Sequence, residues 1–165
     1  MKILFIGGIK SGKSRLAEKR VLEMSKELKP VYLATTELLD LEMKERIAEH
    51  RQRRSDQFET IEEPLNLVEV LQNNQSPVLI ECLTVWLNNA MHHQVSEEKI
   101  VEEIKSLLLL KCDIVFVLNE VGFGIIPDNA LARKFADLSG KIAQLLGKAC
   151  DEVNLCVAGL SVKLK

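Results

Sequence analysis

Runs of consecutive apolar residues recur along the chain and predict five buried strands. They are KILFIG (2–7), VYLATT (31–36), SPVLIECL (76–83), DIVFVLNEVG (113–122) and EVNLCVAG (152–159). A strand covered on both faces shows such an unbroken run, whereas a strand with one wet face alternates apolar and polar residues. The tail LSVKLK (160–165) is a candidate sixth strand.

Segments with helical spacing of apolar residues separate these strands. One helix is predicted from about Gly12 through KSRLAEKRVLEMSKEL (13–28), and a charged helix over 40–54 with Asp40 as its N-cap. A third covers 96–110, and a long fourth one follows Pro127 with Asp128 as its cap. This alternation predicts an α/β fold, a mostly parallel sheet with helices on both faces, in a single domain over residues 1–165.

Composition narrows the class of protein. With 22 basic and 24 acidic residues among 165, the chain has no basic field for nucleic acid, and no such partner is expected. Gly7 and Gly8 end the first apolar run far short of a membrane segment, so no membrane insertion and a cytoplasmic location are predicted. The four cysteines lack Cys-x-x-Cys spacing, which predicts reduced, mostly buried thiols.

The segment GGIKSGKS gives the strongest functional signal. It fits G-x-x-x-x-G-K-[ST] between a buried strand and a helix, as a phosphate-binding loop (P-loop) requires. Backbone N–H groups and the helix N-terminus attract an anion there, and Lys13 neutralises the β- and γ-phosphates. The predicted nucleotide-binding residues of this loop are Gly7, Gly8, Ile9, Lys10, Ser11, Gly12, Lys13 and Ser14. The fold class is accordingly predicted to be P-loop NTPase-type.

A magnesium site is expected beside this loop. Ser14 supplies a hydroxyl to Mg²⁺, and P-loop enzymes place a carboxylate at the end of a neighbouring strand, where VLIE puts Glu81. Glutamate is one methylene longer than the commoner aspartate, so contact through water is as plausible as direct coordination. A strand-capping Glu81 with a structural role is the alternative.

The charged helix predicted over 40–54 has a distinctive face. Arg46, His50, Arg53 and Arg54 are spaced i, i+4, i+7 and i+8, which puts an imidazole among guanidinium groups. Neighbouring positive charge favours the neutral imidazole, whose nitrogen can attack phosphorus. From spacing alone, a solvated helix held by pairs such as Glu49 with Arg53 explains the pattern at least as well.

Several segments together resemble one enzyme family. They are GGIKSGKSRLAE, YLATTELLDLEMKERIAEHRQRR, ETIEEPLNL, LIECLTVWLNN, NEVGFGIIPDNALARKFAD and GLSVKLK. In this order they are similar, nearly end to end, to the bifunctional adenosylcobinamide kinase / adenosylcobinamide-phosphate guanylyltransferase family of cobalamin biosynthesis. NEVG-x-GI-x-P and RI-x-x-H-R are the most specific of these motifs.

The resemblance implies two reactions. ATP or GTP phosphorylates the aminopropanol hydroxyl of adenosylcobinamide, and GMP then passes from GTP to adenosylcobinamide-phosphate through a GMP-histidine intermediate, giving adenosylcobinamide-GDP and pyrophosphate. His50 matches the family's histidine and, with Lys13, is predicted to be catalytic. The resemblance also implies a homotrimer. Further positions that match family nucleotide contacts are Thr35, Thr36, Glu37, Arg51, Gln52, Arg53, Arg54, Glu62 and Glu81, of which Glu62 has no predicted strand behind it.

Departures from the family pattern keep alternatives open. Ala136 and Ala143 stand where the family commonly has arginine and asparagine, so a member active in only one half-reaction is one alternative. A P-loop small-molecule kinase of another type would share the loop and the fold but has no use for a nucleophilic His50. A nucleotide switch is disfavoured, because NEVG stands where a guanine-reading N-K-x-D motif would be. The sequence does not decide between ATP and GTP as the phosphoryl donor.

Overall fold

A computed structural model describes residues 1–26, 28–37 and 56–165. The strands are β1 (Lys2–Gly7), β2 (Val31–Ala34), β3 (Glu59–Glu62), β4 (Val78–Glu81), β5 (Ile114–Asn119), β6 (Glu152–Val157) and β7 (Leu160–Lys163). The helices in these ranges are α1 (Lys13–Ser25), α2 (Leu67–Leu71), α3 (Leu83–His92), α4 (Glu97–Leu109) and α5 (Ala130–Ala149). None of these helices is long and apolar enough to cross a membrane.

The strands form one seven-stranded sheet in the order β3-β2-β4-β5-β1-β6-β7. All neighbours pair in parallel except β6 and β7, which are antiparallel. The five predicted buried strands and the candidate sixth are therefore confirmed. Because β1, β2, β4 and β5 run in one direction, their carboxyl ends lie at the same edge of the sheet. Ligands of such sheets bind at that edge.

Alternating side chains of the strands pack into two cores, one on each face. Ile3 and Phe5 of β1 pack with α1, whereas Leu4 faces the core that α2, α3, α4 and α5 cover. The same alternation runs through β5, where Val115 and Val117 face α1 and Phe116 faces the opposite core. The prediction of helices on both faces is confirmed, and the unbroken apolar runs follow from this double coverage.

One strand escaped prediction. β3 reads ETIE and is an outermost strand of the sheet, beside β2, with Glu59, Thr60 and Glu62 exposed. Charged, solvent-facing side chains are typical of edge strands. A search for continuous apolar runs misses such a strand, because only Ile61 packs against the core.

Two helix boundaries differ from the predictions. α1 ends at Ser25 rather than continuing through Leu28, which is exposed; Lys26 has a φ of 48°, and the Ser25 hydroxyl donates to the Leu22 carbonyl. α5 is capped by Asn129 and not by Asp128. The Asn129 carboxamide oxygen accepts hydrogen bonds from the backbone N–H groups of Leu131 and Ala132, as an N-cap requires.

The cysteines match their prediction. All four are free thiols; Cys112, Cys150 and Cys156 are buried, and Cys82 is half-buried. Within the described ranges, no cluster of three or more potential metal-ligating histidine, cysteine or acidic side chains occurs.

Candidate functional site

The loop between β1 and α1 is held by two close backbone approaches that only glycine permits. A Cβ on Gly7 would lie 2.3 Å from the carbonyl oxygen of Cys156 on the neighbouring strand β6. Gly12 has a φ of 92°, and a Cβ there would lie 2.8 Å from the Cα of Gly159. The two glycines that define the motif are therefore required by the fold of the loop as well as by its ligand.

The turn between β6 and β7 supports this loop from the side. Ala158 and Gly159 both have positive φ, as a two-residue hairpin turn requires. The Gly159 N–H donates to the Ser11 carbonyl at 2.9 Å. The tail that resembled the family at the sequence level is thus part of the wall of the P-loop.

The electrostatics of the loop favour an anion. The first turn of α1 contains no acidic residue, so the positive end of the helix dipole is not neutralised from within the helix. Lys13 is buried, and its Nζ donates to the Gly8 carbonyl at 3.0 Å, back across the loop. The Ser11 hydroxyl is also buried and has no hydrogen-bond partner within the described part of the chain. A bound phosphate satisfies such orphan groups.

Ser14 and Glu81 meet at the centre of the edge. The Ser14 hydroxyl donates to Oε1 of Glu81 at 2.7 Å, which joins the first turn of α1 to the end of β4. A hydroxyl and one carboxylate, completed by phosphate oxygens and water, form a ligand set that suits Mg²⁺. The predicted pair therefore fits a magnesium ion bound together with a nucleotide.

Glu62 has the strand context that the sequence did not reveal. It is the last residue of β3 and pairs with Ala34 of β2, which on its other side pairs with Glu81 of β4. Residues in register on parallel strands point to the same face. Both carboxylates consequently lie at the carboxyl edge, on the face that α1 covers, two strands apart. Glu62 and Glu81 therefore lie on the same side of the candidate site.

The predicted nucleotide contacts after β2 occupy different environments. Thr35 is fully buried, and its hydroxyl both donates to the Cys82 carbonyl (2.9 Å) and accepts from the Cys82 N–H (3.1 Å). Thr36 is half-buried. The Glu37 carboxylate lies 3.1 Å from Nε2 of His93, just past the end of α3. The Thr35 side chain bonds the end of β2 to the chain just past β4. Of these three residues, only Thr36 and Glu37 have side chains accessible to a ligand.

The thiols near the loop are poor nucleophiles. Burial, reinforced by the neighbouring Glu81 carboxylate, raises the pKa of Cys82 to about 11. Burial also raises the pKa of Cys156, against the opposing charge of Lys13. Both sulfurs are protonated at neutral pH, and a protonated thiol does not attack phosphorus.

An apolar groove opens beside the segment that follows β5. It has a volume of about 630 Å³ and is lined by residues of α3, of α5 and of the loop between β5 and α5, among them Met91, His92, Val121, Phe135 and Ala136. Ala136, one of the two departures from the family pattern, is thus a wall of this groove. The other, Ala143, packs against the core instead.

The remaining predicted site residues are His50, Arg51, Gln52, Arg53 and Arg54. They lie outside the described residues, as do Arg46 and the N-cap assigned to Asp40. Their roles stay predictions from the sequence.

Residues 3–164 match the sequence profile of a family described as cobinamide kinase / cobinamide phosphate guanyltransferase. The chain belongs to this family. Three relatives carry the name bifunctional adenosylcobalamin biosynthesis protein: CobU of Escherichia coli (39% identity), CobP of Pseudomonas aeruginosa (38%) and CobU of Salmonella typhimurium (35%). The matches cover 100% of this chain and 98% to 100% of each relative.

Solved structures support the fold of this cobinamide kinase / guanyltransferase family member. The flagellar accessory protein FlaH of Methanocaldococcus jannaschii superposes with a TM-score of 0.55 at 14% identity, over 99% of this chain and 77% of that one. An ATPase domain superposes with a TM-score of 0.51 at 12% identity, over 93% and 68%. The P-loop NTPase-type fold predicted from the sequence is confirmed.

Sequence analysis missed two side chains of this family member that organise the edge. The Thr84 hydroxyl accepts from the Asn119 N–H at 2.7 Å and ties α3 to the end of β5. The buried Asn89 donates to the carbonyls of Thr35 and Pro64. The signal for Asn89 was present in LTVWLNNAM, where a carboxamide interrupts an apolar helix face, but its partners are distant in sequence.

Proposed function

We propose that residues 1–165 form one domain that catalyses two successive reactions. The first phosphorylates the aminopropanol hydroxyl of adenosylcobinamide with ATP or GTP, and the second transfers GMP from GTP to adenosylcobinamide-phosphate. The observation that carries this proposal is the match of nearly the whole chain to a family named for both activities, in relatives that the match covers almost completely. The P-loop geometry supplies the physical support.

In the kinase step the loop holds the triphosphate. The α1 N-terminus and the backbone of Gly12 and Lys13 face the phosphates, and Lys13 exchanges its bond to the Gly8 carbonyl for the β- and γ-phosphate oxygens. The substrate hydroxyl attacks the γ-phosphorus, the bond to the β-γ bridging oxygen breaks, and the nucleoside diphosphate leaves. The proton of the substrate hydroxyl passes to solvent. Lys13 stabilises the charge that moves onto the leaving phosphate.

Ser14 and Glu81 are the residues proposed to hold Mg²⁺. The ion would neutralise charge on the phosphates in both reactions. The Ser14 hydroxyl and Oε1 of Glu81 lie 2.7 Å apart, so both oxygens are close enough to bind one ion.

In the second step we assign the nucleophile to His50. A neutral ring nitrogen of His50 attacks the α-phosphorus of GTP, the bond to the α-β bridging oxygen breaks, and pyrophosphate leaves. A phosphate oxygen of adenosylcobinamide-phosphate then attacks the phosphorus of the GMP-histidine, which forms adenosylcobinamide-GDP and restores the imidazole. The sequence supports this role through Arg46, Arg53 and Arg54, whose charges favour the neutral ring.

The apolar groove beside α5 suits the acceptor. A corrinoid presents a large hydrophobic ring with polar margins, and the groove offers Met91, Val121, Phe135 and Ala136 at the side of the loop that follows β5. The Glu120 N–H donates to the Gly7 carbonyl at 2.9 Å, so this loop starts directly beside the P-loop. The acceptor can thereby approach the phosphates from the groove.

Labelling with α-³²P GTP tests the proposal. Purified protein is incubated with the labelled GTP and Mg²⁺ in the absence of corrinoid, denatured, and mapped for the modified residue. We expect a stoichiometric label on His50, lost in acid as a phosphoramidate is, with an equal amount of pyrophosphate released. Addition of adenosylcobinamide-phosphate before denaturation should discharge the label into a nucleotide product.

The same samples separate the alternatives. A kinase of another type gives γ-phosphate transfer without any α-label. A family member with only the guanylyltransferase activity gives the label but no phosphorylation of adenosylcobinamide. Absence of the label under conditions where GTP binds would overturn the GMP-histidine route, and absence of adenosylcobinamide-GDP as well would overturn the second reaction and leave the first.

We also propose a homotrimer that acts in the cytoplasm. The loop between β5 and α5 exposes three large apolar side chains within four residues, Phe123 (83%), Ile125 (97%) and Ile126 (79%). Exposed apolar side chains that are grouped in this way are typical of interaction surfaces. Light scattering after size-exclusion chromatography should give three times the chain mass of 18.6 kDa. The double variant Ile125→Asp, Ile126→Asp should shift the mass to that of one chain if this loop lies in the interface. An unchanged trimer would place the interface elsewhere.

A further inference from the structure

The side chain of Asn89 joins three parts of the carboxyl edge. It is 2% exposed, on the face of α3 that points towards the ends of β2 and β3. Its Nδ2 donates to the Thr35 carbonyl at 2.7 Å and to the Pro64 carbonyl at 3.3 Å. Thr35 follows the last residue of β2, and Pro64 comes two residues after Glu62, the last residue of β3. One carboxamide therefore binds the backbone just beyond the ends of two neighbouring strands, β2 and β3.

Thr35 connects these two strand ends to the end of a third strand, β4. Its N–H donates to the Glu81 carbonyl at 3.2 Å, and its hydroxyl exchanges two hydrogen bonds with the backbone of Cys82. The backbone on both sides of the Glu81–Cys82 peptide is thus bonded to Thr35. Through Asn89 and Thr35, the backbone at Glu81 and the chain just past Glu62 are fixed relative to each other.

The chemistry of this position favours a role in joining the strand ends. Leu83, Trp86, Leu87 and Ala90 of the same helix are buried and apolar, whereas Asn89 is buried with a polar carboxamide. A buried carboxamide is costly unless it is hydrogen-bonded, and a buried carbonyl that loses its donor is costly as well. The two hydrogen bonds of Asn89 therefore couple both strand ends to this helix.

We infer that Asn89 is a positioning residue, which holds Glu81 and Glu62 in the arrangement that receives the magnesium-nucleotide complex. The inference rests on the proposed function for its ligand. Asn89 touches neither phosphate nor metal; it acts through the Thr35 and Pro64 carbonyls. Removing a direct hydrogen-bond partner of a metal ligand changes metal affinity about 10- to 100-fold. Asn89 acts one residue further away, so we expect an effect at the lower end of that range.

The test compares Asn89→Ala with Asn74→Ala. Asn74 also donates from Nδ2 to a backbone carbonyl, that of Ser76 at 2.6 Å, but it lies before β4 at the opposite edge of the sheet. Binding of a fluorescent ATP analogue and kinase activity are each measured over a series of Mg²⁺ concentrations, the binding also in the absence of Mg²⁺. For Asn89→Ala we expect the Mg²⁺ midpoint to rise about tenfold in both measurements, with metal-free nucleotide affinity unchanged. Asn74→Ala should leave the midpoint at the wild-type value.

Two variants of Thr35 distinguish a loss of positioning from simple misfolding. Thr35→Val keeps the shape of a fully buried side chain but removes the hydroxyl that bonds Cys82, whereas Thr35→Ser keeps the hydroxyl. Thr35→Val should raise the Mg²⁺ midpoint in the same direction, and Thr35→Ser should restore it. If Asn89→Ala and Thr35→Val lower only the fraction of active protein, with unchanged midpoints, the positioning role is wrong. Failure of wild-type protein to bind either the ATP analogue or a GTP analogue would contradict the proposed function instead.

Discussion

His50→Ala should abolish guanylyl transfer while leaving the kinase reaction within a few-fold of wild type. The variant removes the nitrogen that forms the bond to the α-phosphorus, and the Cys82 and Cys156 thiols cannot replace it, since burial keeps them protonated. Loss of a covalent nucleophile typically reduces the rate by several orders of magnitude. The kinase step uses the γ-phosphate and the P-loop, neither of which involves an imidazole. The measurement is formation of adenosylcobinamide-GDP and of adenosylcobinamide-phosphate in parallel reactions.

The kinase activity of the same sample is the control, because a misfolded variant would lose both reactions. His50→Ala that retains guanylyl transfer would show that GMP passes directly to the acceptor. Equal loss of both activities would assign His50 to nucleotide binding and not to covalent chemistry.

Most of the sheet could be predicted from the sequence because its central strands are covered on both faces. Phe116 and Val117 point in opposite directions and are both buried, so the run DIVFVLN contains no polar interruption. β3 had no such signature, since an edge strand places its Glu59 and Glu62 in solvent. Strand order also needed the structure, because apolar runs say which segments are buried but not which of them pair.

The residues of the candidate site also differ in how far the sequence alone could predict them. Lys13, Ser14 and the two motif glycines are fixed by local spacing, so the P-loop was visible in eight residues. The contact of Ser14 with Glu81 joins positions 67 residues apart and followed only from the general design of P-loop enzymes. The role of Asn89 could not be predicted for the same reason: the carboxamide interrupts an apolar helix face in the sequence, but its bonds to Thr35 and Pro64 span 54 and 25 residues. Side chains whose role depends on long-range partners need the fold before their function can be inferred.

Lys13→Ala should reduce both reactions, in contrast to His50→Ala. If one P-loop serves both steps, its lysine stabilises charge on the β- and γ-phosphates when the γ-phosphoryl group is transferred and when pyrophosphate leaves. Removing one such preorganised group typically costs about 10²- to 10³-fold in rate, and we expect that loss in each half-reaction. The measurement is kcat for kinase turnover and the rate of GMP labelling from α-³²P GTP.

Lys19→Ala is the matched control for this comparison. Lys19 lies on the same helix, but its side chain is 76% exposed and pairs only loosely with Glu23, at 3.9 Å. Exposed pairs of this kind contribute little to stability, so both activities should stay at the wild-type level. A Lys13→Ala enzyme that loses kinase activity but labels His50 normally would require a second nucleotide site, away from the P-loop. Parallel loss of the two activities would instead favour a single site in which the γ-phosphate of one nucleotide and the α-phosphate of the next are activated by the same lysine.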